Sequence, residues 1–394
     1  MAGMILPDAE WRRRPGLDRL VAALGEARFV GGSVRDTLLG LSVADIDIAT
    51  PLAPETVIAR LKEADIRCVP TGLKHGTVTA VLSDGPVEVT TLRRDVDTDG
   101  RRATVAFTDD WREDAARRDF TINALYADPL SGEVFDYFGG LADLAARHIR
   151  FIGDPLARIA EDHLRILRFF RFLARFGDAA DPGGLDACTA RARDLMALSR
   201  ERIADELLKL LVAKDAVRVV TLMIERGIFV PVLPEITSAE RLATLAGREA
   251  ASDTPPNAIR RLAALLPVDA AVAESVGARL KLSNAQRQRL IRAATPETGE
   301  VAKALGFRIG TEQATDVLLL SARDLGDVRD LRDWEPPQLP IGGGAIVARG
   351  VKAGPDVARL LGVVRDRWVA EGFPGAARVE QLADAAVAEA LGAT

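Results

Sequence analysis

Apolar residues recur at helical spacing over 17–27 (LDRLVAALGEA), which predicts a helix there. Residues 28–31 (RFVG) read as a short strand ending in glycine, and 33–39 as a second helix. The stretch 45–49 (DIDIA) alternates polar and apolar positions, as a half-buried strand does. A helix is expected after Pro54, followed by strand-like pieces at 66–70, 76–82 and 86–92. Strands and helices mixed in this way indicate an α/β or α+β head. From about residue 140 the strand signals fade and Ala/Leu/Arg/Glu helices take over, with loop punctuation at 177–186, 252–257 and 335–344. The expected architecture is a small mixed head followed by an elongated helical body.

Composition narrows the class. The chain has 394 residues, 48% hydrophobic and 28% charged, the balance of a folded globular protein. Its net charge of −5 gives no overall sign of nucleic-acid binding. The two cysteines, Cys68 and Cys188, lie far apart and cannot build a disulfide framework or a zinc cluster. Three histidines are too few for a His-rich metal site. No apolar run reaches the ~20 residues that span a bilayer, and the N-terminal residues have no signal-peptide core. The expected home is a reducing cytosol, with no membrane contact.

Candidate chemistry begins at Gly31-Gly32-Ser33-Val34-Arg35-Asp36, which follows a strand and opens a helix. Two glycines let the backbone approach a ligand, a helix N-terminus attracts phosphate, and Arg35 can add a charge-assisted bond. Ser33 with Asp36 has the spacing of a capping box. Asp45 and Asp47 follow at i and i+2, so on one strand both carboxylates face the same way while Ile46 and Ile48 face the core. Paired carboxylates repel unless a divalent cation sits between them. Glu88, flanked by Val87 and Val89, offers a further acid.

Read in order, GGSVRDTLLG, DIDIAT, GLKHGTVTAV, VEVTTLRRD, DGRRATVAFTDDWREDAARRDFTINAL and DPLARIAEDHLRILRFFRF resemble the class II tRNA nucleotidyltransferases, the CCA-adding branch of the bacterial poly(A) polymerase superfamily. The resemblance covers at least 28–176, with a weaker match at Ser199–Ile203, Glu206 and Leu207. It implies an α+β protein: a polymerase β-like catalytic head (1–140), then all-α neck (141–200), body (201–300) and tRNA-binding tail (301–394). It implies two Mg²⁺ ions on Asp45 and Asp47, with Glu88 as a supporting third acid. Gly31, Gly32, Ser33 and Arg35 would meet the incoming nucleotide's phosphates. Arg117, Arg118, Asp119 and Asn123 would handle ribose and phosphates. Glu161, Asp162, Arg165, Arg168 and Arg171 would form the protein template. The substrates would be CTP, ATP and tRNA, held by its acceptor end and upper arm; no protein partner is expected.

Elementary chemistry bears on the template. Asp162 and Arg165, at i and i+3 on one helix, would present an acceptor pair and a donor fork to the Watson–Crick edges of C and A. Uracil and guanine present the wrong order and leave buried groups unpaired. The five arginines 158, 165, 168, 171 and 175 sit among Ile166, Leu167, Phe169, Phe170, Phe172 and Leu173. Buried arginines need anions, either triphosphate or nearby Asp and Glu.

Three relatives compete. A poly(A) polymerase would carry a basic element after the acidic pair, where this chain has Val69–Thr77. A CC-adding enzyme would lack the stretch between Glu88 and the RRDFTINAL motif, which is present in full from Arg93 to Ala116 and reads as a mobile loop. A non-catalytic RNA-binding paralogue has no physical reason to keep costly paired carboxylates. Between Arg147 and Arg175, seven arginines against three acids suggest a confined basic strip on an otherwise acidic chain.

Overall fold

The computed structural model describes residues 4–98, 103–297 and 299–392. The chain folds as two compact units, 1–234 and 235–394.

The first unit is built on a seven-stranded mixed sheet. Its members are β1 (Arg28–Val30), β2 (Asp47–Thr50), β3 (Cys68–Gly72), β4 (Thr77–Leu82), β5 (Gly85–Thr91), β8 (Leu125–Ala127) and β9 (Val134–Asp136), in the order β3-β4-β5-β2-β1-β8-β9. Only β2 and β5 run parallel, with Asp47 opposite Glu88 and Ile48 opposite Val89. The alternation is obeyed: Ile46, Ile48, Val87 and Val89 are buried, whereas Asp45 and Glu88 are exposed. The expected strands at 28–31, 76–82 and 86–92 are therefore present almost as read. The acidic strand starts two residues later than expected, so Asp45 sits in the connection leading into β2 rather than on the strand.

Helices α1 (Leu17–Leu24), α2 (Gly32–Leu38) and α3 (Pro54–Glu63) also fall where the apolar spacing places them. Helices α1 and α3 carry their apolar residues on one buried side, for example Leu17, Leu20, Val21 and Leu24 of α1, whereas α2 buries Ser33 to Thr37 in succession.

The stretch Arg93–Ala116 departs from expectation. It is not a loop. Strands β6 (Arg93–Thr98) and β7 (Ala103–Phe107) pair antiparallel as a separate ladder, followed by helix α4 (Trp111–Ala116), capped by Asp110. The segment Asp99-Gly100-Arg101-Arg102 lies outside the described residues. The Asp, Gly, Arg and Thr content of 93–102 misled here, since a strand pair outside the main sheet needs no regular apolar alternation along both members.

Beyond β9 the first unit is almost wholly helical: α5 (Gly140–Ala145), α6 (Pro155–Glu161), α7 (Arg165–Phe176), α8 (Pro182–Ala190), α9 (Arg200–Leu211) and α10 (Ala216–Glu225). Helix α7 buries Phe169, Phe170, Phe172 and Phe176 along with Ile166, Leu167 and Leu173. Its aromatic face packs on Phe120 and Phe151, with ring centroids 5.2 Å (Phe120–Phe172) and 5.4 Å (Phe151–Phe169) apart. That packing carries α7's arginines to the sheet's acidic end.

The second unit is all helical, from α11 (Glu240–Ala251) through α12 (Ala258–Leu265), α13 (Ala270–Arg279), α14 (Asn284–Ala293), α15 (Ala302–Ile309) and α16 (Thr311–Leu320) to a C-terminal pair, Pro355–Ala370 and Ala376–Gly392. A buried ionic cluster lies among these helices. Glu249 accepts from Arg260 at 2.7 Å and Arg261 at 2.8 Å, and Asp316 accepts from Arg260 at 3.0 Å and Arg289 at 2.9 Å.

Candidate functional site

A cleft of about 490 Å³ opens at the end of the sheet where β1 leads into α2. Gly31, Gly32, Arg35, Asp47, Arg93, Arg117, Arg118, Asp119, Asn123, Asp162, Arg165, Arg168 and Phe172 line it. Residues from five separated stretches thus converge, and eleven of these thirteen were singled out from the sequence.

Gly31 makes the first turn possible. Its φ of +70° lies in the region that glycine adopts freely, and a Cβ there would stand 3.5 Å from an Arg118 nitrogen. The Gly31 N–H is spent on the Leu125 carbonyl at 3.1 Å, which pins the turn to β8. The capping box does not form. Ser33 is fully buried and its hydroxyl donates back to the Val30 carbonyl at 3.2 Å, while Asp36 accepts from Arg35 at 2.8 Å. Ser33 can therefore offer a ligand its backbone only. Arg35 also donates to the Asn123 side-chain oxygen and lies over the Phe176 ring, 4.3 Å from its centroid. Its burial lowers the guanidinium's pKa, against the pull of Asp36.

Among the described residues, none of Asp45, Asp47 and Glu88 forms an ion pair. Burial, then the charge of neighbouring Glu88, pushes Asp47 up to about 6, with Asp45 adding to the repulsion and Arg118 opposing it. Among the described residues no three His, Cys, Asp or Glu side chains form a ready-made metal cage. The arrangement fits a hard divalent ion that takes one or two carboxylates and completes its shell with water and substrate phosphate. Glu88 belongs to this corner through its register with Asp47, although it does not line the cleft.

The RRDFTINAL segment forms the opposite wall. Asp114, buried and missed by sequence reading, accepts from Arg117 at 2.9 Å, from Arg118 at 3.1 Å and from the Tyr126 hydroxyl at 2.6 Å. Burial raises its pKa, but Arg118 and Arg117 prevail and hold it down near 2. The i, i+3 and i+4 spacing of Asp114, Arg117 and Arg118 is the signal that could have found it. Asp119 is similarly engaged. It accepts from Asn123 at 3.0 Å and Arg168 at 2.7 Å, which outweigh burial and keep it ionised.

The template residues adopt a different geometry from the one expected. Asp162 and Arg165 are not on one helix. Helix α6 ends at Glu161, Asp162 is extended (φ −150°, ψ 105°), and α7 begins at Arg165. Asp162 accepts the Leu164 N–H at 3.1 Å, starting α7, and pairs with Arg202 of α9 at 2.8 Å. Arg165 bonds Glu161 and donates to the carbonyls of Arg158 (2.9 Å) and Arg117 (3.1 Å). Both still line the cleft, each held by its own scaffold. Asp162 breaks the helix because its side chain competes for backbone N–H groups. Glu161 and Arg171 lie outside the cleft lining. Glu161 supports Arg165 and Arg158, and Arg171 Nε stands 2.7 Å from buried Glu206.

The basic strip is largely cancelled. Each of its seven arginines has a carboxylate within reach: Arg147 with Asp178, Arg150 with Asp143, Arg158 and Arg165 with Glu161, Arg168 with Asp119, Arg171 with Glu206, and Arg175 with Asp36. Local counting overstated the field because the partners Asp36, Asp119, Asp143, Asp178 and Glu206 lie outside the counted window.

Comparison with known proteins agrees with this geometry. Residues 27–150 match the poly A polymerase head domain family, and 181–240 match the family described as the probable RNA and SrmB-binding site of polymerase A. The mitochondrial CCA tRNA nucleotidyltransferase 1 of Danio rerio is 37% identical over 367 residues, 87% of this chain and 83% of that protein. The CCA-adding enzyme of Limosilactobacillus fermentum is 35% identical, covering 88% of this chain and 90% of that protein. The crystal structure of the Bacillus stearothermophilus CCA-adding enzyme in complex with CTP superposes with a TM-score of 0.69 at 27% identity, covering 91% of this chain and 94% of that one. Carrying the ordered motifs, the head fold and this extent of identity, the chain belongs to the CCA-adding tRNA nucleotidyltransferases.

Proposed function

We propose that this protein adds CCA to the 3′ end of tRNA, without a nucleic-acid template, consuming CTP and ATP and releasing pyrophosphate. The observation that carries the reading is the cleft itself, where Asp47, in no ion pair among the described residues, faces a wall of arginines across a turn fit for phosphate. The tRNA 3′-hydroxyl attacks the α-phosphorus and the bond to pyrophosphate breaks. Asp45 and Asp47, with Glu88 behind them, would hold Mg²⁺. When bound, the metal neutralises charge on the reacting phosphate and leaving group. The backbone at Gly32 and the guanidinium of Arg35 receive the triphosphate. Arg117 and Arg118, oriented by Asp114, hold phosphates and ribose, and Asn123, fixed by Asp119, contacts the sugar. Most of the acceleration then comes from positioning and fixed charge.

Base choice is assigned to Asp162 and Arg165. Each is anchored by another residue, Arg202 and Glu161 respectively, so a base meets groups that do not have to reorganise. The helical segments 201–300 and 301–394 are proposed to hold the tRNA's upper arm. Two cysteines, neither in a disulfide, support a reducing compartment, and the cytosol is proposed. No helix of the described residues is long and apolar enough to cross a membrane.

One incubation tests the assignment. With end-trimmed tRNA, CTP, ATP and Mg²⁺, three added nucleotides are expected. A long A tail, two nucleotides or no extension would each overturn it in favour of a different relative.

A further inference from the structure

The β6–β7 hairpin begins immediately after β5, and its first two residues are both arginines. Successive strand residues point to opposite faces. Arg93 lines the cleft already described, and Arg94 lines a second one. This second cleft, of about 540 Å³, is bounded by Pro51, Arg94, Phe107, Thr108, Asp109 and Glu113. Pro51 follows the last residue of β2, so it stands roughly 13 Å along the strand from Asp47.

Phe107 is 46% exposed, a large apolar ring left facing water. Yet the ring is seated. Gly76 lies beneath it with φ +80°, and a Cβ there would come within 2.9 Å of Phe107 Cε1 and 3.2 Å of Thr91 Cβ. The turn that carries Gly76 is fastened on three sides. The Gly76 N–H donates to the Leu73 carbonyl at 3.0 Å, the Thr91 N–H donates to the Gly76 carbonyl at 2.8 Å, and Arg93 donates to the His75 carbonyl. Here the GLKHGT segment has a physical role: it is the floor of an aromatic platform. Beside the ring, Thr108 Oγ1 donates to Glu113 Oε2 at 2.7 Å, and Asp109 adds a second exposed carboxylate. Two acids repel a phosphate but accept from a base's exocyclic amine. Arg94 is the cleft's cation and suits the phosphate.

We propose that this second cleft receives an unpaired base of the RNA strand just upstream of the reacting 3′ end, stacked on Phe107 with its phosphate at Arg94. Stacking on an aromatic side chain tolerates sequence, as an enzyme serving many tRNAs requires. Phe107 is then a substrate-binding residue, and Gly76 a positioning residue beneath it. The inference rests on the proposed CCA-adding activity.

The test uses tRNA that ends in the first added C, with 2-aminopurine, a fluorescent base quenched by stacking, as the unpaired nucleotide just before it. Titration with the full chain, without nucleotide triphosphate, should quench it. Phe107→Ala should abolish the quench and raise the KM for tRNA about tenfold, leaving the KM for CTP unchanged. Phe107→Leu keeps the bulk that packs on Gly76 and guards against misfolding; it should behave like Phe107→Ala, whereas Phe107→Trp should restore both readouts. Arg94→Ala should raise the tRNA KM and keep the quench. Equal quenching by the wild type and Phe107→Leu, or a tRNA KM unmoved in both Phe107→Ala and Phe107→Leu, would overturn the proposal. Extension by the wild type, run alongside, separates the two claims: its absence removes the CCA reading, and the quench still decides whether the cleft takes a base.

Discussion

Two of the molecule's concentrations of charge are resolved in opposite ways. In the second unit, Glu249 and Asp316 are buried among Arg260, Arg261 and Arg289, and every carboxylate has its guanidinium. In the head, Asp45, Asp47 and Glu88 stand together with no ion-pair partner among the described residues, and Asp47 is pushed up to about 6. The first cluster is finished by the fold. The second is completed only by something that binds, which is the difference between a structural ion network and a site.

The largest effect should come from breaking the finished cluster. Arg260→Ala strands Glu249 and Asp316 in an interior with only part of their compensation. A loss of about 3–5 kcal/mol in unfolding free energy is expected by denaturant titration. An unchanged midpoint would mean that the cluster is not a structural lock. In the head, Asp45→Ala should cut CTP incorporation by at least about a hundredfold, with the far-ultraviolet spectrum intact. Retained incorporation would remove Asp45 from the metal corner. Next, Arg165→Ala should relax base choice by about tenfold or more, so that UTP enters product, with less effect on the KM for CTP. Continued exclusion of UTP and GTP would show that Arg165 serves only as a strut for Glu161.

The pH dependence follows from the same contrast. Asp47 binds its proton more tightly folded than unfolded. Its contribution to stability is therefore unfavourable above about pH 6 and is relieved as pH falls from about 6 toward 4. Activity at Mg²⁺ well below saturation should move the other way, falling as pH drops through about 6, because a protonated Asp47 cannot hold a cation. An acid limb of the pH–rate profile lying well below 5 would place the titrating group elsewhere.

How much of this was legible in the sequence differs between the two regions. The head's local devices were plain: alternation placed Ile46 and Ile48 inward, and the paired glycines announced the turn at Gly31. What escaped depends on contacts between distant positions. Asp162 meets Arg202 forty residues away, and that partnership, together with the Asp162 cap on α7, breaks a stretch whose spacing reads as one continuous helix. Asp114 and Glu206 look like ordinary helix-surface acids until Tyr126 and Arg171 are brought against them by the fold. The strand pair β6–β7 was hidden because Arg93, Arg94, Asp95 and Asp97 make β6 read as polar and Asp99-Gly100-Arg101-Arg102 follows it in the sequence. The cluster around Arg260 joins four helices and has no local signature at all. The local charge count misled for a related reason, since Arg168, Arg171 and Arg175 of α7 are matched by acids that chain order keeps apart.

The most direct measurement is the paired response of Asp47→Asn, which removes the charge and keeps the shape. Activity and melting temperature are read from one preparation at pH 7.5. The account predicts that incorporation of labelled CTP into end-trimmed tRNA falls by about a thousandfold, while the protein becomes more stable by about 1–2 kcal/mol and lacks the Mg²⁺-dependent rise in melting temperature expected of the wild type. Retained incorporation, or a variant that melts below the wild type in the absence of Mg²⁺, would contradict it.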